Sequence, residues 1–235
     1  MGKRLRKQVR SRHKVDRNRQ MTEEKPDHWE WCRAFIDHNC IFRSPPGQNL
    51  LLSPEGDLNA WQYFLPIALL NQEFARRVAK MFWDQYLESF KEQQFQLCGC
   101  ESGGGMLVPV LQSYALHQNA AVNGFLAKKE PKKYGLKNWY EGIVLPDVPV
   151  LLIDDVVASK RTLLTQAKRL LEHELVLYSE AFSIVACKMP GPLVLDLDGK
   201  SIDVRVFYKP EDFTVSPQKY ALKYEKNPIF PGITV

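Results

Sequence analysis

No stretch of the 235 residues is apolar for the roughly 20 positions that a membrane-spanning helix needs. The N-terminus lacks the apolar centre of a signal peptide and the apolar face of a transit peptide. Glycine (13), proline (15) and cysteine (5) stand at ordinary levels, which excludes collagen-like, fully disordered and disulfide-scaffold classes. The five cysteines, Cys32, Cys40, Cys98, Cys100 and Cys187, are odd in number and scattered. Cys98 and Cys100 are one residue apart rather than the two of zinc knuckles and redox motifs, and no histidine is spaced to complete a metal site. Reduced thiols in a cytoplasmic protein are the expectation. Internal repeats are also missing. What remains is 45% hydrophobic, with ample length for one soluble domain with a real core.

The formal charge of +5 is unevenly placed. Residues 1–20 hold nine Lys or Arg against Asp16 alone, a net of +8, so the other 215 residues sum to −3. This tail has no helical stripe and too little apolar surface to offset its ordering entropy. Three uses fit it: a solubilising disordered arm, an electrostatic arm for nucleic acid or another anion, and a targeting segment. Met1-Gly2 does not signal myristoylation, because Arg6 stands where Ser or Thr is wanted.

Beyond the tail, Asp27 to His38 reads as an amphipathic helix, and Phe42 to Glu55 as a loop with short extended pieces. One long helix is expected from Ile67 to Lys91, with Phe74, Val78, Met81, Phe82, Tyr86 and Phe90 on its buried face. Apolar runs then alternate with helices. The runs are Phe95–Cys98, Val122–Leu126, Val150–Ile153 and Ala181–Ala186; the helices are Met106 to Gln118 and Thr162 to Glu174. That alternation predicts an α/β fold with an open, mostly parallel sheet flanked by helices. Leu193–Leu197 and Ile202–Tyr208 around Asp198-Gly199 predict a C-terminal hairpin. The organisation is a tail over 1–26, an N-terminal hood over 27–66, a core over 67–190, and a hairpin with a surface tail over 191–235.

Three segments carry chemistry. In Val150-Leu-Leu-Ile-Asp154-Asp155-Val-Val-Ala158-Ser159-Lys160-Arg161-Thr162, a buried strand delivers two carboxylates and a short loop leads to a helix start. In an open parallel sheet, ligands bind at such carboxyl ends, and a helix N-terminus offers N–H groups to phosphate. Lys128-Lys129-Glu130-Pro131-Lys132-Lys133-Tyr134-Gly135, closed by Glu141-Gly142, is a cationic loop suited to a charged leaving group. Gly99-Cys-Glu101-Ser102-Gly103-Gly104-Gly105 joins a strand to a helix, but it is neither a GxGxxG fingerprint nor a Walker motif. His117 and His173 fall in helical segments as surface residues.

In this order the three segments resemble the type I phosphoribosyltransferases, and the lysine loop is closest to that of orotate phosphoribosyltransferase. The resemblance runs from about Trp29 to Tyr208 and includes an upstream match at Asn39 to Gln48, the segment that covers the base. It implies transfer of a 5-phosphoribosyl group from phosphoribosyl diphosphate to a pyrimidine, orotate-like base, with Mg²⁺ carried by the diphosphate and no direct protein ligand. The implied catalytic residues are Lys132, Asp154 and Asp155, the two acids holding the ribose hydroxyls. Ser159, Lys160, Arg161 and Thr162 would take the 5-phosphate, Gly103 and Gly104 the diphosphate, Lys128 and Lys129 its oxygens, and Lys188 the base. A homodimer is implied too.

The sequence also departs from the family pattern. Ala158 replaces a Thr, and Lys160 replaces a Gly where a phosphate cradle wants close backbone approach and often a positive φ. Pro45 stands where a base-facing Lys is usual, with Arg43 nearby as a substitute, and Lys188 replaces an Arg. These departures keep a second class open: a phosphoribosyltransferase fold used as a binding or regulatory module without turnover. Nucleic-acid binding through the tail is a third.

Overall fold

The computed structural model describes residues 27–45, 48, 51–52, 58–100, 102–131, 138–187, 193–197 and 199–215. The basic tail, Lys132 and Lys188 therefore lie outside the described residues. Helix α1 (His28–Asn39) buries Cys32 and Ile36. Strand β1 (Ile41–Arg43) follows, then β2 (Leu51–Leu52), β3 (Leu58–Asn59) and β4 (Trp61–Tyr63). These form two small antiparallel ladders, β1 with β4 and β2 with β3.

The single helix expected from Ile67 to Lys91 is two helices, a one-turn α2 (Pro66–Leu69) and α3 (Gln72–Glu92). The break has a local cause. Asn71 is extended, and its side chain accepts the Phe74 N–H at 3.0 Å, starting a new helix at a cap worth about 1 kcal/mol. The predicted apolar face of α3 is buried, and Trp83 Nε1 donates to the Leu111 carbonyl at 2.8 Å.

The sheet follows from β5 (Gln96–Cys100), β6 (Gly124–Ala127), β7 (Tyr140–Glu141), β8 (Val150–Val157), β9 (Leu177–Ala186), β10 (Val194–Leu197) and β11 (Lys200–Tyr208). Its order is β10-β11-β9-β8-β5-β6-β7. The five central strands are parallel, and β7 and β10 pair antiparallel at the edges. Helices α4 (Gly103–His117) and α5 (Arg161–Glu172) take opposite faces. Strand β8 alternates accordingly: Leu151 and Ile153 join the core under α3 and α4, while Leu152 and Val157 join the core under α5. The predicted α/β fold, mostly parallel sheet and hairpin are what the structure contains; Gly199 turns the hairpin at φ +98°.

Helix α4 begins three residues before the expected Met106, because the glycine run forms its first turn. Both α4 and α5 end in Schellman turns. In α5 the Leu175 N–H reaches the Leu170 carbonyl at 2.9 Å and the Glu174 N–H reaches Leu171 at 3.0 Å, with Glu174 left-handed at φ 61°. Glycine suits that position, so Glu174→Gly is expected to stabilise the chain by about 0.5–1 kcal/mol. Thermal melting would read this as a rise of about 1–4 °C; a fall would refute the strain assigned to Glu174.

Helix α1 is tied to the sheet. Tyr208 Oη donates to the Trp29 carbonyl at 2.8 Å, and Trp29 meets Phe207 edge-on at 4.9 Å. After the 3₁₀ turn at Pro210–Asp212, Phe213 packs on Tyr63 and Tyr208.

Candidate functional site

Because β5, β6, β8 and β9 are parallel, their carboxyl ends share one edge of the sheet. The glycine, lysine and Ser159–Thr162 segments leave β5, β6 and β8 at that edge. Asp154 and Asp155 are still within β8, so that strand runs four residues past its expected end at Ile153. Asp154 is 7% exposed and registers with Ser183 of β9. Its carboxylate accepts the Asp155 N–H at 3.0 Å, and the Asp155 carboxylate accepts the Val156 N–H at 2.9 Å. Burial pushes both carboxyls above the ordinary range, and the Asp155 charge pushes Asp154 further; Lys129 acts in the opposite sense.

The first turn of α4 lies against this pair. A Cβ on Gly103 would stand 2.0–2.2 Å from the Asp155 carboxyl atoms, and one on Gly104 would stand 2.2 Å from the Ile153 carbonyl oxygen. Close backbone therefore requires glycine at position 104, and at position 103 a side chain fits only if the Asp155 carboxylate leaves its place. The result is a pair of carboxylates beside bare backbone at a helix N-terminus. Behind them Cys100 is fully buried, and burial followed by the two Asp charges raises its thiol well above the ordinary range. All five cysteines are buried and none forms a disulfide.

At the turn into α5, Ala158, Ser159 and Arg161 are exposed and Thr162 half-buried. Lys160 caps the helix with φ 61° and ψ −4°. The left-handed backbone of the loop is thus present with lysine in the glycine place, at a cost of about 1–2 kcal/mol. Its ammonium does not point at the loop: Lys160 Nζ donates to the Val194 carbonyl of β10 at 2.9 Å.

Lys128 and Lys129 leave the end of β6, next to the glycine turn that leaves β5. Lys128 is 8% exposed and pairs with Glu141 of β7 at 2.8 Å. Lys129 is exposed, and its charge acts on Asp154. The structure brings Asp154, Asp155, Gly103, Gly104, Lys129 and the Ser159–Thr162 turn to one edge. Arg43 does not substitute for a base-facing cation. Its guanidinium is bonded to the Asp37 carboxylate and to the carbonyls of Asp37 and Ile41 at 3.0 and 3.1 Å. His117 and His173 are exposed, as expected.

Sequence reading missed Arg169 and Gln166 of α5. Both donate to the Lys128 carbonyl, at 2.7 and 3.1 Å. No spacing rule links residues that lie 38 and 41 positions from their partner.

No protein-family model matches the chain. Solved structures do. A phosphoribosyltransferase from Corynebacterium diphtheriae aligns over 80% of this chain and 99% of its own at TM-score 0.61 and 14% identity. The orotate phosphoribosyltransferase of Mycobacterium tuberculosis aligns over 81% and 100% at TM-score 0.60 and 14% identity. The adenine phosphoribosyltransferase of Trypanosoma brucei aligns over 78% and 81% at TM-score 0.51 and 18% identity. The chain has the type I phosphoribosyltransferase fold. Orotate and adenine enzymes both share it with this chain, so the fold does not select the base.

Proposed function

We propose that this chain transfers a 5-phosphoribosyl group from phosphoribosyl diphosphate to a ring nitrogen of a pyrimidine or related nucleobase. The bond from the anomeric carbon to the diphosphate oxygen breaks with its electron pair. The new bond forms from the ring nitrogen, which loses a proton. The observation that carries this reading is the Asp154–Asp155 pair seated against the bare Cα of Gly103. The two carboxylates there accept hydrogen bonds from two ribose hydroxyls. The left-handed turn at Lys160 and the α5 N-terminus receive the 5-phosphate. Lys128, Lys129 and Lys132 meet the charge that develops on diphosphate. Supporting the ligand choice, the T. brucei adenine enzyme was solved with AMP, pyrophosphate and ribose-5-phosphate, and the M. tuberculosis enzyme with phosphoribosyl diphosphate.

Among the described residues no three His, Cys, Asp or Glu are grouped to hold a metal ion. The donor set is one buried carboxylate, Asp154, and one half-buried carboxylate, Asp155, which fit sugar hydroxyls better than a metal. Mg²⁺ in this reading enters as part of the substrate, on its phosphate oxygens.

A second reading, ligand binding without turnover, is favoured by the Lys160 ammonium being held on Val194 and the Lys128 ammonium on Glu141. Diphosphate release from phosphoribosyl diphosphate, followed across a panel of pyrimidine and purine bases, separates the two. The expected result is release that depends on one base and falls at least about 100-fold in Lys132→Ala. Binding of phosphoribosyl diphosphate with no base-dependent release would leave only the second reading.

A further inference from the structure

The lysine segment leaves β6 at Lys128 and returns at Trp139 to Glu141, and the Lys128 N–H closes the two arms by donating to the Trp139 carbonyl at 3.0 Å. Arg169, half-buried on α5, holds both arms. Its Nη1 donates to the Lys128 carbonyl at 2.7 Å and its Nη2 to the Lys129 carbonyl at 3.4 Å. On the returning arm its guanidinium lies 3.7 Å from the centroid of the Trp139 ring. Gln166, one turn earlier, donates to the same Lys128 carbonyl and accepts from Arg169 at 3.2 Å.

The helix that carries this grip is also the helix whose cap is the left-handed Lys160 turn. Nine residues of helix, about 13 Å, separate the cap from Arg169. A helix is stiff over that length, so α5 fixes the lysine arm relative to the turn and to the Asp154–Asp155 pair beside it. The position needs a planar cation: one face stacks on the indole while the edge reaches two carbonyls. Lysine offers only a point charge.

We propose that Arg169 is a positioning residue, which never touches ligand but sets the Lys128 and Lys129 arm at the edge where diphosphate binds. The proposal rests on the phosphoribosyl-diphosphate reading of the site. Its physical basis is that two donor bonds to successive carbonyls orient the peptide units from which both lysine side chains project. Displacements of about 1 Å at such a distance are enough to change rates and affinities by about 100-fold.

The test uses the full chain and calorimetric titration with two probes, inorganic diphosphate with Mg²⁺ and ribose 5-phosphate. Arg169→Ala is expected to weaken diphosphate by about 10- to 100-fold. Ribose 5-phosphate, held by the other loops, should stay within about twofold, because α5 and β8 keep their own packing. Arg169→Lys should recover part of the diphosphate affinity through the carbonyls alone. Arg76→Ala, which breaks only a surface pair with Glu73 on α3, should change neither. Unchanged diphosphate affinity in Arg169→Ala, equal weakening of both probes, or no diphosphate binding by the unmodified chain would each overturn the proposal. Transfer is scored separately in the base panel. A chain whose diphosphate affinity falls in Arg169→Ala yet which transfers to no base fails the transferase reading and keeps the positioning role.

Discussion

Alanine at Gly103 is expected to weaken ribose-phosphate binding severely in a chain that still folds. The added methyl would occupy the place of the Asp155 carboxylate, 2.0–2.2 Å from its Cγ and both oxygens. Only a side chain has to give way, so the carboxylate turns out of the site while the strand stays. Loss of one charged acceptor for a sugar hydroxyl is worth about 1.5–3 kcal/mol, and the methyl also obstructs the approach, so affinity should fall at least about 100-fold. Gly104→Ala should behave differently. There the methyl meets backbone, the Ile153 carbonyl oxygen at 2.2 Å and the Asp154 Cα at 3.0 Å, so α4 itself must move off β8. Alanine is otherwise the better helix former by up to about 1 kcal/mol, so a net loss of about 1–3 kcal/mol is expected and understates the clash by that gain. Titration with ribose 5-phosphate alongside thermal melting checks both. Equal melting temperatures for the two variants would show that the helix does not seat on β8 as described.

Asp154→Asn is expected to stabilise the fold at neutral pH while weakening ribose-phosphate binding. Burial, then the charge of Asp155, holds the Asp154 carboxyl above its ordinary value of 3.8. A group whose folded value is raised contributes stability below its unfolded value, and that contribution is lost as pH rises through the folded value. Asparagine keeps the oxygen that accepts the Asp155 N–H and never ionises. Its advantage should therefore be near zero around pH 4 and grow toward pH 8. On the proposed function the same substitution also takes a charged acceptor from ribose, with an expected cost of about 10- to 100-fold in affinity. Melting temperatures of both chains from pH 4 to 8 test the sign. A gap that does not change with pH would show that titration of Asp154 is not its source.

The two substitutions illustrate what is legible without coordinates. Asp154-Asp155 after an apolar run, and glycines between a strand and a helix, each mark the carboxyl end of a strand. Their order along the chain was enough to expect one site. Their contact was not legible, because Gly103 and Asp155 are 52 positions apart and meet only when β5 and β8 pair in parallel. Lys160 shows the opposite case. Its sequence breaks the glycine pattern, yet the backbone takes the left-handed turn, and the Lys160–Val194 bond from the hairpin helps offset that cost. The break at Asn71 is hidden for a simpler reason: apolar periodicity continues across it, and only the side-chain cap reveals the break.

By itself the sequence determined the periodicities, and so the fold: parallel-sheet strands buried on both faces, helices between them, and a hairpin at the end. It also determined which residue types leave the strands at one edge, since a parallel strand places its last residues and its loop on the same side. Tertiary structure alone decided which charges act there. Lys128 is held by Glu141, Arg43 by Asp37 and Lys160 by Val194, while Lys129 acts on Asp154. Ion pairs and carbonyl contacts between distant segments leave no periodicity in a chain. Their geometry exists only once the sheet has set the distances.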